Sequence, residues 1–217
     1  LINQMLDISK IKSKMGNPDW RNGNITTYVS MLVDTYRNYA CSKNIDLQLH
    51  VKEPVTMDFV PDFVNKVFNN LLSNAFKFTP EYGKIIVAMW REGSNLIIEV
   101  SDTGEGMDKE TANKVFNPFY QGVTDSMNIG TGIGLALVKQ VIDSLNGKIN
   151  VRSREGYGTT FHIEIPITNE CNVKLNEQPM DNTPVLAYRG KTLTDTDAED
   201  NQYTMLVIED NRDIATY

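Results

Sequence analysis

In 217 residues, 28 Asp and Glu stand against 21 Lys and Arg, a formal charge of −7, so the chain offers no basic footprint for nucleic acid. Its two cysteines, Cys41 and Cys171, form no CxxC pair, which excludes a disulfide scaffold and suits a reducing compartment. No apolar run approaches the ~20 residues that span a bilayer, and the opening residues do not read as a signal peptide.

"LINQMLDISKIKSKM" sets Leu1, Met5, Ile8 and Met15 on a coiled-coil-like stripe broken by Lys12. The same spacing also fits the tail of any amphipathic helix. The chain opens inside this helix pattern without methionine and stops at Tyr217, soon after a new strand begins. It is therefore expected to be a piece of something longer. "GNPDW" breaks the pattern. A helix is predicted over 26–43, with Val29, Leu32, Val33, Tyr36 and Ala40 on one face. "IDLQLHV" alternates and predicts a strand over 45–51.

A helix is predicted over 61–78. Proline suits its first turn, Asp62 complements the positive end of its dipole, and Thr79-Pro80 ends it. Val64, Val67, Phe68, Leu71, Ala75 and Phe78 make its buried stripe. "KIIVAMW" and "NLIIEVS" predict a hairpin around "REGSN", followed by a short helix over 109–115 and a polar loop over 117–131. A helix over 135–145 stops at Asn146-Gly147. "KINVRS" and "TTFHIEIPI" form a second hairpin around "REGYG". Strands in antiparallel hairpins with helices between them predict an α+β fold: a two-layer sandwich, one mixed sheet with helices on one face. The main domain is expected to end near Thr168, with an aperiodic linker over 169–203 and a new buried strand from 204.

Four stretches carry chemistry. Asparagine is a poor helix former, yet Asn70 and Asn74 sit mid-helix and share a face with Lys77. Two amides and an ammonium suit a metal–phosphate unit, or they are a solvated polar face. "SDTGEGM" aims Asp102 from a strand end, where a carboxylate accepts from an exocyclic amine, or it is an ordinary turn. In "GTGIGLALVKQV", Gly130, Gly132 and Gly134 lead into a helix whose bare N–H groups suit an anion. That spacing matches neither a Walker A loop nor a Rossmann fingerprint, and a flexible hinge is the other reading. "VFNPFYQG" offers Phe116, Phe119 and Tyr120 as a lid anchor or as core.

In this order, "NxxxNAxK", "DTGEGM", "FxPFYQ", "GTGIGLALV" and "GYGTTFHIEIP" resemble the catalytic ATP-binding domain of sensor histidine kinases, kin to the gyrase- and Hsp90-type ATPases, over residues 20–168. The resemblance implies the Bergerat-type fold and the cofactors ATP and Mg²⁺. It implies that Asn74 coordinates Mg²⁺ with Asn70 as partner, that Lys77 touches phosphate and that Phe78 packs near adenine. Asp102 would read the adenine amine, with Thr103, Gly104, Gly106 and Met107 shaping that wall. Phe116 and Phe119 would hinge a lid. Gly130, Thr131, Gly132, Gly134 and Leu135 would meet the phosphates, and the Thr160 hydroxyl would support the Asp102 contact. In the related hydrolases a glutamate holds the place of Asn70. A carboxylate takes a proton from water and an amide does not, so Asn70 favours transfer over hydrolysis.

His50 and His162 lie in strand patterns and read as structural. The acceptor histidine is therefore expected upstream, on a dimerisation hairpin whose end is residues 1–16. "MLVIEDNRDI" resembles the start of a receiver domain, with Glu209 and Asp210 as its Mg²⁺-binding acids. Together these imply a hybrid sensor kinase, homodimeric in the parent and held at an inner membrane with this domain cytoplasmic. A non-catalytic nucleotide-binding scaffold module of the same fold, or a true ATPase, are the alternatives.

Overall fold

The computed structural model describes residues 18–121 and 132–175. Their elements run β1 (Arg21–Asn24), α1 (Ile25–Thr35), α2 (Arg37–Ser42), β2 (Asp46–Val51), β3 (Thr56–Phe59), α3 (Pro61–Phe78), β4 (Lys84–Glu92), β5 (Asn95–Asp102), α4 (Lys109–Lys114), α5 (Gly134–Ser144), β6 (Lys148–Arg154) and β7 (Gly158–Pro166). The expected helix over 1–16 and strand from 204 lie outside the described residues.

Five strands form one sheet in the order β2-β4-β5-β7-β6. Only the β2–β4 pair is parallel. This is the predicted mixed, mainly antiparallel α+β architecture. Strand alternation puts Ile85, Val87 and Met89 of β4, Ile98 and Val100 of β5, and Phe161, Ile163 and Ile165 of β7 on the buried face. Val67, Phe68, Leu71 and Ala75 of α3 and Val138, Val141 and Ile142 of α5 are buried with them. Each such side chain contributes about 1.5–3 kcal/mol by leaving water.

Helix 26–43 is interrupted. Tyr36 separates α1 from α2, and its N–H bonds the Val33 carbonyl in a tightened turn. The cause is tertiary: the Tyr36 ring stacks on Phe76 at 5.7 Å and its hydroxyl donates to Asn69 Oδ1 at 3.0 Å. Tyr39 meets the same Phe76 ring edge-on. Phe76 is thus buried, while Phe78, expected in the buried stripe, is only half-buried. That leaves the Phe78 ring free to line a site.

Strands β1 and β3 pair antiparallel as a small second sheet that the sequence pattern does not show. Asp58 of β3 is 4% exposed. It accepts from Asn22 Nδ2 at 2.7 Å and from the Glu170 and Cys171 N–H groups. Asn22 also bonds the backbone of Val173 and Leu175. Residues 169–175, expected to begin a linker, are thus laid along β1.

Burial raises the Asp58 carboxyl, but bonds from Asn22, Glu170, Cys171 and Thr168 outweigh it and hold the pKa below the ordinary value. The folded chain then binds this proton less readily than the unfolded chain. The stabilisation is complete above the ordinary carboxylate range and is lost as pH falls through the depressed value. Asp58→Asn is expected to speed amide exchange at Glu170 and Cys171 about tenfold at neutral pH. It should also flatten the acid limb of the thermal-stability profile.

Candidate functional site

The four asparagines of α3 divide by face. Asn65 and Asn69 accept from the Tyr28 and Tyr36 hydroxyls at 3.1 and 3.0 Å, so they tie α3 to the α1–α2 layer. Burial pushes the Tyr28 hydroxyl up to about 12, partly offset by its Asn65 bond. Asn70 faces α5 instead. Its Nδ2 donates to the Lys66 carbonyl at 2.7 Å, which leaves Oδ1 turned to Gly134. A Cβ on Gly134 would collide with that oxygen, so only glycine lets the helix start come this close. Asn74, one turn on, is half-buried, and its amide makes no hydrogen bond among the described residues. Lys77 is exposed, with Nζ 4.9 Å from the Phe78 ring centroid.

The second wall is the loop after β5. Asp102 is half-buried, and its Oδ1 accepts from the Gly104 N–H at 2.9 Å and the Thr159 N–H at 3.2 Å. Burial raises its pKa, and these two bonds offset only part of the rise. Oδ2 accepts nothing among the described residues. Thr103 ties the loop to the start of β4, because its Oγ1 accepts from the Lys84 N–H at 2.8 Å. Gly104 lies against the Phe78 carbonyl, which also accepts from the Glu105 N–H, so the loop packs on the end of α3. Gly106 has φ +68°, and the Arg154 carbonyl occupies the place of its absent Cβ. The Met107 N–H donates to Ser153 Oγ at 2.8 Å.

One expectation is overturned here. Asp102 pairs in register with Thr159, not Thr160. The Thr160 hydroxyl lies 3.0 Å from Ser101 Oγ, on the opposite face. Side chains alternate along β7, so a one-residue step moves the contact to the other side of the sheet. The signal was present in the sequence: Phe161 and Ile163 mark the buried face, and Thr159 shares their parity. Gly158, the second glycine of "GYGTTFHIEIP", also belongs to this wall, as does Ser153, which no sequence motif singles out.

The third wall is the start of α5. Its N-cap position is Ile133, which offers no side-chain acceptor, and its first turn, with Gly134 and Leu135, holds no acidic residue. Among the described residues no side chain caps this start, and the positive end of the dipole with its first-turn N–H groups suits an anion. The Phe119 N–H donates to the Gly132 carbonyl at 2.8 Å. Phe119 and Gly132 both have positive φ, +65° and +68°, so the two ends of the 119–132 segment are fastened together. Phe119 is half-exposed, whereas Phe116 packs edge-on against Phe161 at 6.2 Å. Gly130, Thr131, Glu209 and Asp210 lie outside the described residues.

The structure therefore gathers an amide pair, an uncapped helix start and a carboxylate with a free oxygen around α3. Among the described residues no group of three His, Cys, Asp or Glu side chains forms a metal centre. The donors that remain are Asn70 Oδ1 and the unpartnered Asn74 amide. Hard amide oxygens beside an anion site fit Mg²⁺, which takes few protein ligands and completes its shell with phosphate and water. A cavity of about 560 Å³ lies elsewhere, around His50, Val51 and Trp90 at the edge of the sheet, and includes none of these groups. His50 is exposed on β2, and His162 of β7 lies between Glu99 (2.9 Å) and Glu164 (3.4 Å). Neither is on a helix.

The sequence and the fold are similar to those of known proteins. The chain is 35% identical over 184 residues to the autoinducer 2 sensor kinase/phosphatase LuxQ of Vibrio vulnificus strain YJ016, covering 79% of this chain and 21% of that protein. It spans between 17% and 24% of the length of the curated relatives it matches. The fold superposes on the catalytic domain of the histidine kinase ThkA with a TM-score of 0.62 at 25% identity, covering 70% of this chain and 99% of that one. It also matches full-length ShkA, solved in complex with AMPPNP, with a TM-score of 0.63 at 25% identity, over 72% of this chain and 34% of that one. Residues 59–169 match the family described as histidine kinase-, DNA gyrase B-, and HSP90-like ATPase, and the chain belongs to it.

Proposed function

We propose that this chain is the ATP-binding catalytic domain of a hybrid sensor histidine kinase. It passes the γ-phosphoryl group of ATP to a histidine on an upstream dimerisation hairpin, for relay to an aspartate of a receiver domain. The observation that carries the reading is the meeting of Asn70 Oδ1 with Gly134, which sets a metal-suited amide beside an anion-suited helix start.

In this reading the adenine amine donates to Asp102 Oδ2, and Phe78 lies near the ring. The first-turn N–H groups of α5 receive phosphate oxygens. Lys77 adds a point charge. Asn70 and Asn74 hold Mg²⁺, which when bound neutralises charge on the phosphates. Such transfer rests on positioning and electrostatics rather than on covalent help from the protein. Asn70 cannot take a proton from water, so the γ-phosphoryl group is kept for the histidine. The parent is a homodimer at an inner membrane, with this domain cytoplasmic, and Glu209 and Asp210 belong to its receiver.

Following the label of γ-labelled Mg-ATP tests this. With the parent's helical hairpin present, label is expected on histidine, as an acid-labile and base-stable adduct, with little free phosphate. Nucleotide binding without labelled histidine would identify a non-catalytic module. Steady release of phosphate would identify a hydrolase.

A further inference from the structure

Ser153 sits one residue before the end of β6, half-buried and opposite Thr159 of β7. Its hydroxyl meets three partners. It accepts from the Met107 N–H at 2.8 Å, donates to the Gly158 carbonyl at 2.9 Å, and lies 2.9 Å from Thr159 Oγ1. A serine hydroxyl has one proton and two acceptor lone pairs. The proton is used on Gly158, so Thr159 must be the donor in the third bond, and the Ser153 hydroxyl is then saturated.

Each partner leads to the carboxylate wall. Met107 closes the loop that begins at Asp102. Thr159 donates its N–H to Asp102 Oδ1 at 3.2 Å. Gly158, at φ +102°, lies so close that the Asp102 carbonyl occupies the place of its absent Cβ. The Gly156 N–H bonds the Glu105 carbonyl at 2.7 Å, which fastens the same turn to the same loop. One hydroxyl therefore joins the 102–107 loop to the β6–β7 turn, with Asp102 held between them. No other side chain described here touches both segments through three hydrogen bonds.

We propose that Ser153 is a positioning residue for base recognition: it fixes Asp102 and Met107 without itself touching the nucleotide. This rests on the reading of Asp102 as the contact to adenine. It goes further in separating the site into a base end, governed by Ser153, and a phosphate end at Asn70, Asn74 and α5, which Ser153 does not reach.

The test is calorimetric titration of the wild type, Ser153→Ala and Ser153→Thr with Mg-ATP and with Mg-tripolyphosphate, which carries no base. Ser153→Ala is expected to raise the Mg-ATP Kd about tenfold, leave the tripolyphosphate Kd unchanged, and speed amide exchange at Met107 and Thr159. Ser153→Thr retains the hydroxyl and should restore Mg-ATP binding to within about twofold. If Ser153→Ala binds Mg-ATP as the wild type does, the positioning role is overturned. An equal loss for both ligands, or no rescue by threonine, assigns Ser153 to general folding and overturns it as well. A wild type that binds tripolyphosphate but shows no preference for Mg-ATP would overturn the adenine reading itself, and Ser153 with it.

Discussion

Asn74→Ala is expected to slow phosphoryl transfer to the hairpin histidine about 10²–10³-fold at saturating Mg-ATP, the scale of removing one preorganised contact to developing charge. The fold should scarcely notice. The Asn74 amide is half-buried and makes no hydrogen bond among the described residues, so truncation leaves no partner orphaned. Alanine is also the better helix former by roughly half a kcal/mol. The melting temperature should therefore hold or rise while transfer collapses, and those two readings together separate function from stability. Asn70→Ala cannot be read so cleanly, because its amide also bonds the Lys66 carbonyl. An Asn74→Ala protein that transfers at the wild-type rate would remove Asn74 from the site.

The second large effect is at Asp102, where Asp102→Asn is more informative than alanine. Asp102 Oδ1 serves the backbone, accepting from Gly104 and Thr159. An asparagine oxygen can take over both bonds and preserve the loop. The other position changes from acceptor to donor and then faces the adenine amine donor to donor. Binding of Mg-ATP should weaken about a hundredfold, the order expected when a site built to pair one polar group meets its reverse. Mg-ITP, with an accepting carbonyl where adenine carries its amine, meets that new donor and should bind more tightly than to the wild type, becoming the preferred ligand. Titration of the wild type and of Asp102→Asn with both nucleotides checks this. Equal weakening for the two would mean that Asp102 does not read the base edge.

Much of the site was legible in the sequence because it is built on strong elements. Helix α3 runs from Pro61 to Phe78 as its proline, its apolar period and Thr79-Pro80 dictate. Once that helix is placed, the spacing of Asn70, Asn74 and Lys77 needs no tertiary information. At the glycines at 104, 106, 132 and 134, which the sequence places in the candidate site, an added Cβ would collide with a neighbouring group.

What was not legible depends on partners far along the chain. Nothing near Tyr36 breaks a helix; Phe76 and Asn69, over thirty residues away, do. "RNGN" and "TMDF" are too short and too polar to show a strand period, and they pair through Asp58 and Asn22 with a tail more than a hundred residues downstream. Asn69 is exposed, yet it anchors the Tyr36 hydroxyl. The resemblance points to Thr160 beside Asp102, whereas strand parity gives that place to Thr159.

A single nucleotide site is proposed to be shared by α3, the 102–107 loop and the start of α5. An amide NMR titration of this chain with Mg-ATP tests it most directly. Saturable shifts are expected at Asn74, Gly104, Met107, Gly134 and Leu135, with the β2 edge around His50 and Val51 unmoved. Shifts confined to that edge, or none at millimolar Mg-ATP, would contradict it.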